Sequence, residues 1–224
     1  METHESTKLF YDKFLYRLTF TNILATIFRN KNLYHARQRL DELQYAADND
    51  QPLFMRNFLR EVPIKVQSLN DAKTVYSHLS TRSDYVLRIE HPKISLYSND
   101  KNWLLDLGEK LEINPGNECS FSGPSDECIP LLQNSNHVIV VTTPPEFKYK
   151  VTLGIQTNNE FVNWIKDNPD KVKAGKTFLD ASKNFGGTGM YFYARDKKIL
   201  QLITLMGVNI RRIDKLICKQ DLDK

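Results

Sequence analysis

Leu96-Tyr97-Ser98-Asn99-Asp100-Lys101-Asn102-Trp103-Leu104 and Phe192-Tyr193-Ala194-Arg195-Asp196-Lys197-Lys198-Ile199-Leu200 follow one pattern, about one domain length apart. Each is an alternating run that meets Asp-Lys and passes straight into residues at amphipathic helical spacing. An Asp at that junction is the expected N-cap, because its carboxylate accepts the free amide hydrogens of the first helical turn. Two such strand-cap-helix passages predict a chain built from two copies of one α/β unit.

The first copy begins at Val62. Val62 to Val66 reads as a strand, Asp71 to Leu79 as a helix, and Tyr85 to Glu90 as a second strand. His91-Pro92 turns into the strand Lys93 to Tyr97, Asp100 caps a helix to Leu111, and His137 to Val141 closes the unit as a buried strand. Glu112 to Asn136 is expected to be a long loop around Pro115-Gly116 and Gly123-Pro124. After Thr143-Pro144-Pro145, a linker, the order recurs. Tyr149 to Leu153 is a strand, Asn159 to Lys166 a helix, Lys171 to Lys176 a weak strand and Gly189 to Arg195 a clear one. Asp196 to Met206 is a helix and Ile210 to Cys218 the last strand, whose poor alternation predicts a bulge or a frayed edge. Ahead of both copies, Phe14 to Phe20 alternates like a strand, with Phe14, Tyr16, Leu18 and Phe20 on one face. Ile23 to Arg29 reads as a short helix. Leu33, Ala36, Leu40, Leu43 and Ala47 then recur at helical spacing until Asn49-Asp50-Gln51-Pro52 breaks the pattern.

The expected fold class is therefore α+β, with tandem ferredoxin-like (β-α-β-β-α-β) units and an N-terminal β-α extension. The expected divisions are 1–52 for the extension, 62–143 for the first unit and 147–218 for the second.

A length of 224 residues can bury a real core. Hydrophobic residues at 41% and charged ones at 26% are ordinary for a globular protein, and only Met1 to Thr7 and Gln220 to Lys224 read as disordered. The sequence carries neither an apolar run of membrane-spanning length nor the pattern of a secretory signal, which predicts no membrane partner. Three cysteines do not make a disulfide framework, so a reducing, cytoplasmic setting is expected. The net charge of +4 is uneven: residues 101–150 hold four Lys/Arg against seven Asp/Glu, and residues 151–224 hold thirteen against eight. The C-terminal unit is thus the one expected to meet phosphates.

In Gly186-Gly187-Thr188-Gly189-Met190-Tyr191-Phe192-Tyr193-Ala194-Arg195, alternation turns Met190 and Phe192 toward the helices. It puts Tyr191, Tyr193 and Arg195 on the opposite sheet face. The segment resembles the central-strand motif of RNA-recognition modules: glycines, then alternating aromatics, then a basic residue. The leading Lys/Arg-Gly-Phe core of that motif is missing. The resemblance implies that Tyr191 and Tyr193 stack on bases, while Arg195, Lys150, Arg211 and Arg212 hold phosphates. Lys150 and Thr152 are the outward residues of the neighbouring strand. In the first copy only Tyr97 and Arg88 are outward candidates. The opposing expectation is that these tyrosines form the interface between the two repeats or lie beneath the N-terminal β-α piece.

Cys119, Cys128 and His137 are evenly spaced, but there is no C-x2-C knuckle and no evident fourth ligand apart from distant His91 or an acid such as Asp126, so no metal is expected. No cofactor is expected either, since phosphate-loop, dinucleotide, zinc-protease and nucleophile-elbow motifs are missing. His35, beside Arg37 and Arg39, invites comparison with the metal-independent ribonucleases of bacterial immunity built from tandem ferredoxin-like units. In those, a histidine near the first helix acts as general acid or base, and a glycine-rich loop near the C-terminus holds RNA. Here the glycines precede the third strand of the second copy, not the last one.

Residues Tyr149 to Gly154, Phe161 to Lys173 and Met190 to Ile217 are similar in texture to uncharacterised small proteins of tailed bacteriophages. This likeness implies a viral origin and action in the cytoplasm of an infected bacterium. The function expected first is non-catalytic binding of single-stranded nucleic acid by the open sheet face of the second unit. The alternatives are a structural or protein-interaction phage protein with a protein partner, and a ribonuclease using His35.

Overall fold

Asp100 and Asp196 are the N-caps of their helices. The Asp100 carboxylate accepts from the Trp103 amide at 2.9 Å, and that of Asp196 from the Ile199 amide at 3.0 Å. Asp196→Ala is expected to cost about 1 kcal/mol, the usual worth of such a cap. Asp100→Ala should cost more, because its second oxygen also pairs with Arg82. Chemical denaturation of the two variants checks both values.

The computed structural model describes residues 1–57, 60–114, 118–154, 159–181 and 190–221. The chain divides into two units, Met1–Ser125 and Asp126–Lys224. The first contains β1 (Glu2–Glu5), β2 (Tyr16–Thr21), α1 (Leu33–Asp48), β3 (Phe54–Asn57), β4 (Arg60–Pro63), α2 (Val66–Leu79), β5 (Val86–Glu90), β6 (Lys93–Ser98), α3 (Lys101–Glu112) and β7 (Ser120–Gly123). Its main sheet has the order β1-β7-β2-β6-β5. The pairs β7-β2, β2-β6 and β6-β5 are antiparallel, whereas β1 runs parallel to β7. With β2, β5, β6 and β7 taken as strands one to four, the antiparallel order is four-one-three-two, that of a split β-α-β sandwich. Helix α3 packs on β2, β6 and β7, α2 on α3, and α1 on α2. Leu18, Leu96 and Leu104, all fully buried, fill this layer together with Leu69 and Leu79 of α2.

The second unit contains α4 (Ile129–Asn134), β8 (Val138–Val141), β9 (Tyr149–Leu153), α5 (Asn159–Asp167), β10 (Val172–Ala174), α6 (Lys176–Ala181), β11 (Tyr191–Ala194), α7 (Lys197–Leu205) and β12 (Ile210–Cys218). Its sheet order is β10-β11-β9-β12-β8, with β8 parallel to β12 and the other pairs antiparallel. Strand for strand, this is the order of the first sheet, including a parallel edge strand that precedes strand one and pairs with strand four. Val151, Leu153, Val172, Phe192 and Ala194 face Phe161, Ile165, Phe178, Leu200 and Ile203 in one core. Phe192, fully buried, meets Phe161 edge-on at 5.4 Å and Phe178 at 6.2 Å.

The repeat is partitioned differently from the sequence expectation. Tyr16–Thr21, read as part of an extension covering 1–52, is the central strand of the first sheet. Val62–Val66, read as the opening strand of a unit at 62–143, is divided instead. Val62 and Pro63 end a separate hairpin with β3, and Val66 starts α2. The fourth strand of the first unit is Ser120–Gly123, inside the expected loop. Gly123 is a strand residue there rather than a turn, kept small because a Cβ would collide with the Tyr16 ring. Val138–Val141, expected to close the first unit, is the edge strand of the second. Glu2–Glu5, expected to be disordered, pairs with β7.

Candidate functional site

The open face of the second sheet is fixed by strand register. Residues directly opposite one another share a face. Tyr193 stands opposite Lys173 on one side and Lys150 on the other, and Lys150 opposite Asp214. This row crosses β10, β11, β9 and β12. The next row joins Tyr191, Thr152 and Arg212. Phe192 and Val151, between the rows, point to the core, so sheet alternation turns both rows away from it.

Tyr191 is 44% exposed, Tyr193 is half-buried, and their rings meet edge-on at 5.7 Å. The Lys150 ammonium lies 4.0 Å from the Tyr191 ring centroid, a cation–π contact that holds the ring and leaves one side of it to solvent. Burial and the neighbouring Tyr191 hydroxyl hold the Tyr193 phenol above its ordinary value, so that ring is neutral at physiological pH. Asp214 is buried at the far end of the row. Its carboxylate accepts from Arg212 Nε at 2.6 Å and lies 4.0 Å from His137 Nδ1.

The expected residues Tyr191, Tyr193, Lys150 and Arg212 are therefore brought together on one face. Arg211 is exposed at the bulge where β12 shifts register against β9. Arg195 stands just beyond β11, exposed. Its guanidinium is 2.7 Å from Glu146 and 5.7 Å from the Phe147 ring centroid, so it belongs to the end of the sheet rather than its centre. Gly186-Gly187-Thr188-Gly189 lies outside the described residues. Sequence reasoning missed Lys173 and Asp214. The three-residue β10 is too short to give a periodic signal, and the bulge in β12 hides which face an acid occupies.

Other candidates do not assemble. His35 is exposed on α1, and among the described residues no hydrogen bond or ion pair engages its ring. Cys119 ends the approach to β7 in the first unit, while Cys128 and His137 belong to the second. Cys119, Cys128 and Cys218 are free and buried, and burial pushes the Cys119 thiol up to about 11. Among the described residues no group of three or more His, Cys, Asp or Glu could hold a metal ion. No described helix is long and apolar enough to cross a membrane.

His78 and Asp106, 3.5 Å apart beneath Trp103, resemble a catalytic dyad in outline. His78 Nε2 is buried, with no hydrogen-bond partner among the described residues. The pair has a consequence for stability. Burial lowers the His78 pKa from 6.5, outweighing the opposing pull of the Trp103 backbone and Asp106. The imidazole is thus neutral in the fold but charged in the unfolded chain below about pH 6.5. Its stabilising effect is present above that pH and is lost as the pH falls through it. The urea midpoint followed through Trp103 should fall between pH 7 and pH 5.5, and His78→Phe should flatten that dependence.

With an α+β fold and an exposed aromatic-cationic sheet face in place, comparison with known proteins adds no relative: no protein family, curated protein or solved structure was found to match this chain.

Proposed function

We propose that the open sheet face of the second unit binds single-stranded nucleic acid and carries out no reaction on it. The observation that carries this reading is the pair Tyr191 and Tyr193, side by side on an exposed sheet face with lysines opposite Tyr193 on both sides. Bases stack on such rings with little dependence on sequence, because every base has a π-face. Lys173, Lys150, Arg212 and Arg211 surround the rings with positive charge for the phosphates, and Asp214 offsets one of those charges. A moderate, salt-sensitive affinity is expected from that balance.

A protein partner presenting aromatic side chains is the second reading. It is favoured by the first unit, where Phe10 and Tyr11 of the same chain cover Tyr97, the counterpart of Tyr193. The two readings separate in one experiment. Fluorescence anisotropy of a labelled single-stranded RNA, with DNA of the same sequence as comparator, is titrated at low and moderate salt. About three phosphate contacts should give a logarithmic salt slope of roughly −2. Failure to bind at low salt, or binding indifferent to salt, overturns the nucleic-acid reading and leaves the protein partner.

A further inference from the structure

The open face of the second unit has a counterpart in the first that is already filled. Register makes the match residue by residue. Arg17 stands between Tyr97 and Ser122 in the first sheet, as Lys150 stands between Tyr193 and Asp214 in the second. Thr19 and Thr152 hold the next position on their strands. Tyr97 is 5% exposed, because residues 6–15, the connection between β1 and β2, fold over it.

The covering groups are rings. Phe10 lies tilted at 5.5 Å from Tyr97, and Tyr11 meets it edge-on at 4.9 Å. The Arg17 guanidinium lies 5.1 Å from the Phe10 centroid. Arg88 is paired with Glu90 at 2.6 Å, and the Tyr11 hydroxyl lies near its guanidinium and near the Tyr97 hydroxyl. The connection thus places planar rings against a tyrosine and an oxygen against a guanidinium, which are the two chemistries of a nucleotide.

Two further features point to an exchangeable cover. First, the face beneath it keeps a cation whose charge no acid offsets. Arg17 forms no ion pair among the described residues; it donates to Ser122 Oγ at 3.0 Å, and its Nε is buried without a partner. The place taken by Asp214 in the second unit is a hydroxyl here, so the charge of Arg17 is not offset. Second, Tyr11 and Asp12 are consecutive non-glycine residues in the left-handed region, at φ 53° and 55°. That conformation is disfavoured for Tyr11 and milder for Asp12, so closing the cover works against the backbone at Tyr11.

We propose that the outer face of the first unit is a second site for single-stranded nucleic acid, closed by Phe10 and Tyr11 in the places of two bases. The site rests on the same chemistry proposed for the second unit, and opening it brings the strand's phosphates to Arg17. The test silences the second unit with Tyr191→Ala/Tyr193→Ala and then opens the first with Phe10→Ala/Tyr11→Ala. Opening should raise the affinity for a labelled single-stranded RNA at least about tenfold, the usual worth of one stacked base or more, and Arg17→Gln should abolish the gain. A folded quadruple variant, judged by circular dichroism, that gains nothing overturns the proposal.

If that variant does not fold, hydrogen exchange on the unaltered chain decides. The amides of Phe10, Lys13 and Phe14, bonded within the connection, should lose protection when RNA saturates the protein. Unchanged protection overturns the proposal. The two readings fail separately. RNA binding that needs Tyr191 and Tyr193 but gains nothing on opening removes only the second site. A gain on opening, in a chain whose Tyr191 and Tyr193 contribute nothing, upholds that site and removes the open face.

Discussion

Alanine at both Tyr191 and Tyr193 is expected to weaken binding of single-stranded RNA by about thirtyfold or more. Each stacked base is worth roughly 1–3 kcal/mol by truncation, and 1.4 kcal/mol is a factor of ten. The two losses will not add cleanly, since the rings touch at 5.7 Å and removing either frees the other to move. Stability should change little, because Tyr191 is 44% exposed and both rings point away from the core. Anisotropy titration of the double variant measures the effect, and an unchanged thermal transition shows that it arises at the site. Tyr191→Phe and Tyr193→Phe should keep most of the affinity, since the π-face does the stacking. Loss of affinity on removing the hydroxyl alone would point to hydrogen-bonded recognition instead.

Phe192→Ala is expected to destabilise the second unit by about 3–5 kcal/mol, the usual cost of deleting a fully buried aromatic ring. Phe192 has no exposed surface and is the ring on which α5 and α6 meet the sheet, through Phe161 and Phe178. A cavity there would leave both helices without their common partner. The chain offers a reporter for each unit, Trp103 in α3 and Trp164 in α5. In a Trp103→Phe background, urea unfolding followed through Trp164 should show the full loss. A shift below about 1 kcal/mol would mean that the neighbouring rings collapse into the space.

Tyr191 and Phe192 also show how much was legible beforehand. Alternation over four residues assigned one to each face, and both assignments hold because β11 is flanked by partners on both sides. The Asp caps were legible for a related reason: an N-cap needs only one side chain and its own next turn. What escaped depends on distant pairing. Ser120-Phe121-Ser122-Gly123 holds a single large apolar residue, so it reads as loop. It is a strand because β1 and β2 accept it from either side. Missing it shifted the first unit forward by one strand and turned its true first strand into an apparent extension. The aromatic pair at the candidate site could be read from sequence, whereas the acid beside it could not. Asp214 reaches the open face only because β12 bulges between Ile210 and Arg212.

The parallel edge strand has a bearing on how the chain is made. In each unit the strand that emerges first pairs with the strand that emerges last. Glu2–Glu5 waits for Ser120–Gly123, and Val138–Val141 for Lys215–Cys218. Neither sheet can close during synthesis until its whole unit has left the ribosome, and loop closure over that span is slow. Until then, each waiting strand presents unpaired amides and carbonyls to whatever lies nearby. The acidic Glu2 and Glu5 give the first such strand a charge that discourages stray pairing. Val138-Ile139-Val140-Val141 has no such protection, which makes the second unit the more exposed to misassembly on a translating polysome.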